Sequence, residues 1–313
     1  MSKRVTQDVV TRWQENPILT REDIPFPCNT VFNAGAAKVG DEYILLLRVE
    51  DLRGHSVLAL ACSEDGYHFT VHDEPVMVPS REGEFGVYER KGIEDPRITR
   101  IGDTYYIIYT AVSDFGARLA LAKTEDFRSF ERIALISEPE NKDGALFPRK
   151  IDGCYVRLDR PMVGSTGNIW ISYSDDLVSW RDSRVLMTVR GDCWDSWRIG
   201  ASAPPIETEY GWLEIYHGVK ETSHGPIYRL GAAMLDRDDP TKILCRSSIP
   251  ILAPREDYER TGDIPNVVYS TGAIMEEDGA LKIYYSGADT CICVGTVRLE
   301  ELMQFCAIGE EGK

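Results

Sequence analysis

The chain has 313 residues, 43% of them apolar and 27% charged, which is the composition of a folded globular protein with room for two ordinary domains or one large all-β domain. Its 35 Lys and Arg against 51 Asp and Glu leave a net charge of −16, a field that repels nucleic-acid phosphates and anionic membrane surfaces. Neither a nucleic acid nor a membrane is therefore an expected partner, and any anionic substrate needs a basic pocket inside an acidic shell.

From the N-terminus, the first twenty residues hold no apolar run of secretory-signal length, so a cytoplasmic location is expected. No aliphatic stretch approaches the roughly 20 residues of a membrane-spanning helix. Residues 6–14 carry Val9, Val10 and Trp13 at helical spacing and predict a short N-terminal helix. A repeat follows. Runs of aromatic and aliphatic residues at 43–48, 105–110, 155–160, 212–217 and 281–286 each come after a turn signal, roughly 60 residues apart. Three of them are followed by an acidic turn and an aromatic: Ser63-Glu64-Asp65-Gly66-Tyr67, Thr124-Glu125-Asp126-Phe127 and Ser174-Asp175-Asp176-Leu177 with Trp180 close behind. Short, regularly spaced strands without amphipathic helices between them predict an all-β protein, a single five-bladed β-propeller over residues 1–313. Residues 80–92 read as a polar rim loop. The eight cysteines contain no C-x-x-C pair and read as reduced, buried thiols.

If each run is the channel-lining strand of a blade, its last residue reaches the channel mouth. Those residues are Arg48, Thr110, Arg160, His217 and Ser286. Two arginines and a histidine that face one another repel unless an anion lies between them, and guanidinium groups match phosphate or carboxylate oxygens. Asp95, in Gly92-Ile93-Glu94-Asp95-Pro96-Arg97, precedes a proline, so an extended backbone is expected to hold its carboxylate stiffly. It reads either as a general acid or as a turn residue paired with Arg97. Trp194 and Trp197 read as packing more readily than as sugar-stacking faces. No metal site is expected, because the five histidines lack metal-ligand spacing and Asp236, Asp238 and Asp239 lack the rest of a calcium loop. Phosphate-loop, dinucleotide and serine-hydrolase motifs are absent from the sequence.

Val31-Phe32-Asn33, Arg48-Val49, Glu94-Asp95-Pro96-Arg97, Ala145-Leu146-Phe147-Pro148, Asp159-Arg160-Pro161, Pro204-Pro205-Ile206, Tyr216-His217-Gly218-Val219, Ile264-Pro265-Asn266-Val267-Val268 and Tyr284-Tyr285-Ser286-Gly287-Ala288-Asp289 resemble, in that order, the motifs of glycoside hydrolase family 130, the inverting mannoside phosphorylases. The resemblance runs through nearly the whole chain and implies the same five-bladed propeller. It implies phosphorolysis of a β-linked mannoside, β-1,4 or β-1,2, to α-mannose 1-phosphate and a released sugar. Asp95 then matches the lone catalytic acid, which delivers its proton through the mannose 3-hydroxyl. Lys142, Arg160, Arg198, His217 and Tyr228 match phosphate-binding positions, and Asn33, Arg48, Arg53 and Asp289 match residues around the mannose.

No cofactor is implied, inorganic phosphate being a co-substrate, and a homo-oligomer is left open. The division of labour makes physical sense: an inverting hydrolase needs a second carboxylate to activate water, whereas phosphate is already an anion and needs only to be held in line. His217, beside that anion, is expected to favour its charged form. Three positions depart from the pattern: Ala34 where a small polar residue is expected, Arg198 where many relatives carry lysine, and Asp143 where a neutral amide suits phosphate better. The other readings are a hydrolase with a second essential acid such as Glu94 or Asp289, and a sugar-binding propeller without turnover.

Overall fold

The computed structural model describes residues 8–164 and 167–307. Five antiparallel groups of strands follow one another along the chain. The first comprises Cys28–Val39, Glu42–Asp51 and Ser56–Ser63 with the short Thr70–Val71, and the second Gly92–Ile101, Thr104–Ser113, Gly116–Thr124 and Glu131–Leu135. One parallel pairing, Ser56 with Gly92, joins these two into an eight-stranded sheet. The third group is Asn141–Leu146, Tyr155–Pro161, Ile169–Ser174 and Trp180–Met187. The fourth is Arg198–Ala201, Gly211–Thr222, Gly225–Leu235 and Ile243–Arg246, with Ile206–Thr208 beside it. Val268–Met275, Ala280–Gly287 and Cys291–Arg298 form the fifth, to which the N-terminal Thr11–Arg12 adds as a last strand.

The acidic turns repeat atom for atom. In each, a hydroxyl accepts the N–H three residues on at 2.9 Å: Ser63 from Gly66, Thr124 from Phe127, Ser174 from Leu177. An aspartate two positions later, Asp65, Asp126 or Asp176, accepts the next two N–H groups, the side-chain-to-backbone chemistry that makes these residues turn formers. Apolar clusters lie between successive groups, and one packs the fifth group on the first through Leu45, Leu47, Tyr284, Ile292 and Val294. Alternation along one strand divides its side chains between two clusters: Leu45 and Leu47 face the fifth group, while Ile44 and Leu46 pack with Ile98, Ile107 and Tyr109 of the second. A strand buried on both faces reads as an unbroken apolar run, which is why 43–47 does. Each such side chain contributes about 1.5–3 kcal/mol.

Three expectations are corrected. The runs at 43–48, 105–110, 155–160, 212–217 and 281–286 form the second strand of each group, and it is the first strands that pack against one another at the centre. The expected N-terminal helix is not found in residues 8–14, positions 6 and 7 lying outside the described residues. Thr11 and Arg12 instead pair with Thr296 and Gly295, the Trp13 N–H bonds the Val294 carbonyl at 3.0 Å, and Arg12 meets the buried Glu259 at 2.7 Å. A sheet edge offers these groups partners that an isolated helix of two to three turns cannot match. A helix does form at Leu299–Ala307, anchored by the buried Leu302 and Cys306. Third, residues 80–92 include the one-and-a-half-turn helix Gly83–Tyr88, fixed by Glu89, whose buried carboxylate accepts from Tyr109, Arg132 and the Ser80 N–H.

Candidate active site

Three first strands carry a register shift at corresponding places: between Phe32 and Ala34, between Glu94 and Arg97, and between Lys142 and Ala145. At each bulge one residue adopts positive φ, namely Asn33 (49°), Asp95 (52°) and Asp143 (58°). Asn and Asp tolerate this region better than other side chains, and bulges re-aim side chains beside active sites. All three line a cavity of about 390 Å³ together with Arg48, Lys142, Arg160, Arg198, His217, Tyr228, Tyr269 and Asp289. The extended backbone expected for Asp95 is thereby corrected, because the bulge and not the following proline sets its φ.

On the side of the first and second groups, Asp95 is buried and accepts two hydrogen bonds on Oδ1, from Asn33 Nδ2 at 2.7 Å and Arg48 Nη1 at 2.8 Å. Arg48 also donates from Nε to Ser56 at 2.8 Å, pairs with Glu94 at 2.7 Å and lies over the Phe32 ring. Burial on its own would raise the Asp95 carboxyl, but Arg48, Lys142 and Arg97 outweigh it and hold it below its ordinary value. Asp289, also at positive φ, is pushed up to about 6 by burial, which Arg48 only partly offsets while Asp95 adds to it. Lys142 lies 3.6 Å from Glu94.

On the side of the third and fourth groups the charge balance is reversed. The Asp143 carboxylate receives Arg160 Nε at 2.5 Å and the Tyr269 hydroxyl at 3.0 Å, with Arg97 at 3.4 Å and His217 Nε2 at 3.5 Å. Burial would raise this carboxyl, yet Arg160, His217 and Arg97 take it far below the usual range. Burial also drives His217 down to about 3; Asp143 opposes this, and Arg160 and Arg97 reinforce it. The imidazole of the ligand-free protein is thus neutral at neutral pH, so the charged form expected beside phosphate is not the resting one. Arg198 rests on the Trp197 ring at 3.7 Å, and the Tyr228 ring stacks near His217. Beneath both sides Arg97, fully buried, donates to the carbonyls of Asp95, Ala201 and Ser202 and to the Tyr269 hydroxyl. It bonds the Asp95 backbone, not the carboxylate expected of a turn pair, and ties the bulge of the second group to the fourth. Among the described residues no cluster of three or more His, Cys, Asp or Glu side chains is arranged to hold a metal ion.

The family model Glyco_hydro_130, described as beta-1,4-mannooligosaccharide phosphorylase, matches residues 2–308. The chain belongs to glycoside hydrolase family 130. It is 37% identical to a family relative named beta-1,2-mannobiose phosphorylase from Listeria innocua, over 94% of this chain and 97% of that one. It is 38% identical to the 1,2-beta-oligomannan phosphorylase of a Thermoanaerobacter species (87% and 91% covered) and 32% identical to the beta-1,4-mannooligosaccharide phosphorylase of Ruminococcus albus (96% and 91%). The solved structure of the Listeria innocua protein in complex with beta-1,2-mannobiose matches with a TM-score of 0.87 at 36% identity, over 96% of this chain and 99% of that one.

In this family member the cavity brings together every site residue that the family resemblance implies except Arg53. Arg53 sits on the exposed turn after Glu42–Asp51, bonded to Asp51 at 2.7 Å. Of the five end-of-run positions, Arg48, Arg160 and His217 line the cavity, while Thr110 is buried away from it and Ser286 instead donates to Asp289 at 3.2 Å. Trp194 stacks on Tyr216 and Trp197 supports Arg198, so both indoles pack. Sequence reading missed Tyr269 and the central place of Arg97 and Asp143. Tyr269 lies one residue beyond the quoted 264–268 motif, and Asp143 was noted only as a misfit.

Proposed function

We propose that this chain is an inverting β-mannoside phosphorylase, a single five-bladed β-propeller acting in the cytoplasm on a β-1,2- or β-1,4-linked mannoside. The apolar clusters that join each strand group to the next, the fifth to the first included, support the closed ring. Among the described residues no helix is long and apolar enough to cross a membrane. The observation that carries the functional reading is the gathering of Lys142, Arg160, Arg198, His217 and Tyr228 from the third and fourth groups into the cavity that also holds Asp95.

In this reading those five residues hold inorganic phosphate behind the anomeric carbon, and Asn33, Arg48 and Asp289 hold the mannose, with Arg53 contributing from the rim. A phosphate oxygen bonds to the anomeric carbon as the glycosidic bond breaks, inverting β to α. The departing oxygen receives its proton from Asp95 through the mannose 3-hydroxyl, as the family resemblance implies. Positioning accounts for most of the effect, and a general acid adds about 10²–10⁴-fold. Asp95 is held ionised in the ligand-free protein by Arg48, Lys142 and Arg97. Phosphate bound nearby offsets those cations, so its arrival raises the Asp95 carboxyl and loads the acid when the nucleophile is in place. The same charge favours protonation of His217.

The test is incubation with β-1,2- and β-1,4-mannobiose, with and without phosphate. Mannose 1-phosphate should form only with phosphate; equal sugar release without it would establish a hydrolase instead. The higher identity to the two β-1,2 relatives makes the β-1,2 disaccharide the first substrate to try. Running the reaction backwards from mannose 1-phosphate over a panel of acceptors identifies the linkage and the acceptor sugar.

A further inference from the structure

A carboxylate at the centre of an anion-binding cluster needs a reason. Asp143 is 2% exposed, lines the reaction cavity and stands within 3.5 Å of Arg160, Arg97 and His217. Each of these would attract an anion more strongly without it. Its place is also built: the bulge that aims it matches those of Asn33 and Asp95. Gly200 leaves the room, since a Cβ there would collide with both the Asp143 carboxylate and the His217 ring.

We infer that Asp143 selects the oxyanion, admitting tetrahedral anions that carry a proton and rejecting those that do not. The inference rests on the phosphorylase reading above. An ionised carboxylate is an acceptor only, with about four acceptor positions over its two oxygens. Here two are filled at short distance, by Arg160 Nε and the Tyr269 hydroxyl, while Arg97 and His217 stand off at 3.4 and 3.5 Å. Near neutral pH inorganic phosphate always keeps at least one P–OH, and arsenate behaves alike; sulfate keeps none. A P–OH donates to Asp143 while the unprotonated oxygens meet the cations, and one of these unprotonated oxygens attacks the sugar. The phosphate proton stays on phosphorus-bound oxygen throughout and leaves with the sugar phosphate. Sulfate would set lone pairs and negative charge against the carboxylate, with nothing to donate.

The experiment compares sulfate inhibition with phosphate saturation during mannoside phosphorolysis by the full chain and by its Asp143→Asn variant. The amide can donate, so the ratio of the sulfate inhibition constant to the phosphate KM should fall at least about tenfold in Asp143→Asn, with arsenate tracking phosphate in both proteins. An unchanged ratio, whatever happens to the phosphate KM itself, would mean that Asp143 only orients Arg160 and would overturn the inference. Calorimetric titration of the unmodified protein with phosphate and with sulfate gives a second readout that needs no variant and no turnover. Phosphate should bind at least about tenfold more tightly; equal or tighter sulfate binding overturns the proposal. Mannoside cleavage that ignores phosphate would instead sink the phosphorylase reading, and the titration would still report the anion preference.

Discussion

On one side of the cavity two cations, Arg48 and Lys142, are set among the carboxylates Glu94, Asp95 and Asp289, whereas on the other a single carboxylate, Asp143, is set among Arg97, Arg160 and His217. Acids outnumber cations on the first side, and burial, which Arg48 only partly offsets, lets Asp289 keep its proton up to about pH 6 while Asp95 ionises. Cations outnumber the acid on the second, and the surplus is what an incoming anion would neutralise. The difference teaches that neither half is balanced alone: the second lacks a negative charge, and supplying it would raise the Asp95 carboxyl in the first and load its proton.

Substitutions can break this comparison in order of expected effect. Asp95→Asn removes the proton donor but keeps its size, so turnover should fall by about 10³-fold or more while mannoside binding persists; steady-state rates and calorimetry on the same variant check both. Gly200→Ala drives a methyl into Asp143 and His217, and it should cost about 100-fold in kcat/KM for phosphate with the mannoside KM little changed, as displacement of positioned groups does. Arg160→Ala should raise the phosphate KM by about 10–100-fold, the worth of a charge-assisted contact. A comparable rise in mannoside KM would show that the two halves are not separable.

Asp289 sharpens the contrast through pH. Its folded carboxyl is raised from 3.8 to about 6, so the folded state holds that proton more tightly than the unfolded chain does. The associated stability is present below about pH 4 and is lost as the pH rises through 6. Asp289→Asn cannot ionise, so its stability relative to the parent should grow across that window, by about 1–3 kcal/mol, in thermal unfolding at pH 4, 6 and 8. The smallest effect is expected at Arg53, exposed and paired with Asp51. Arg53→Ala should change the mannoside KM by less than about fivefold and leave kcat alone.

Much of this was legible in the sequence because it is written in local chemistry. The Ser63, Thr124 and Ser174 turns advertise themselves through hydroxyl and aspartate spacing, and a strand buried on both faces through its unbroken apolar run. Arg48, Arg160 and His217 stood out because each is polar where such a run ends. What the sequence hid depends on partners distant along the chain. Residues 6–14 have helical spacing, yet the free edge of Cys291–Arg298 captures Thr11 and Arg12 as a strand. Which strand of each group faces the centre is decided by packing between groups, to which the periodicity of a single strand is blind. Asp143 looked like a misfit next to Lys142, since the arginines that it meets once the bulge turns it into the cavity stand 46 and 17 positions away.

The central claim is that inorganic phosphate, gripped by the cationic side, is the nucleophile. Proton NMR of β-1,2-mannobiose incubated with the protein reads it directly, since the anomeric signals distinguish α-mannose 1-phosphate from free mannose. The account predicts α-mannose 1-phosphate and one equivalent of free mannose as first products, formed only when phosphate is supplied. Free mannose released at the same rate in phosphate-free buffer would contradict it.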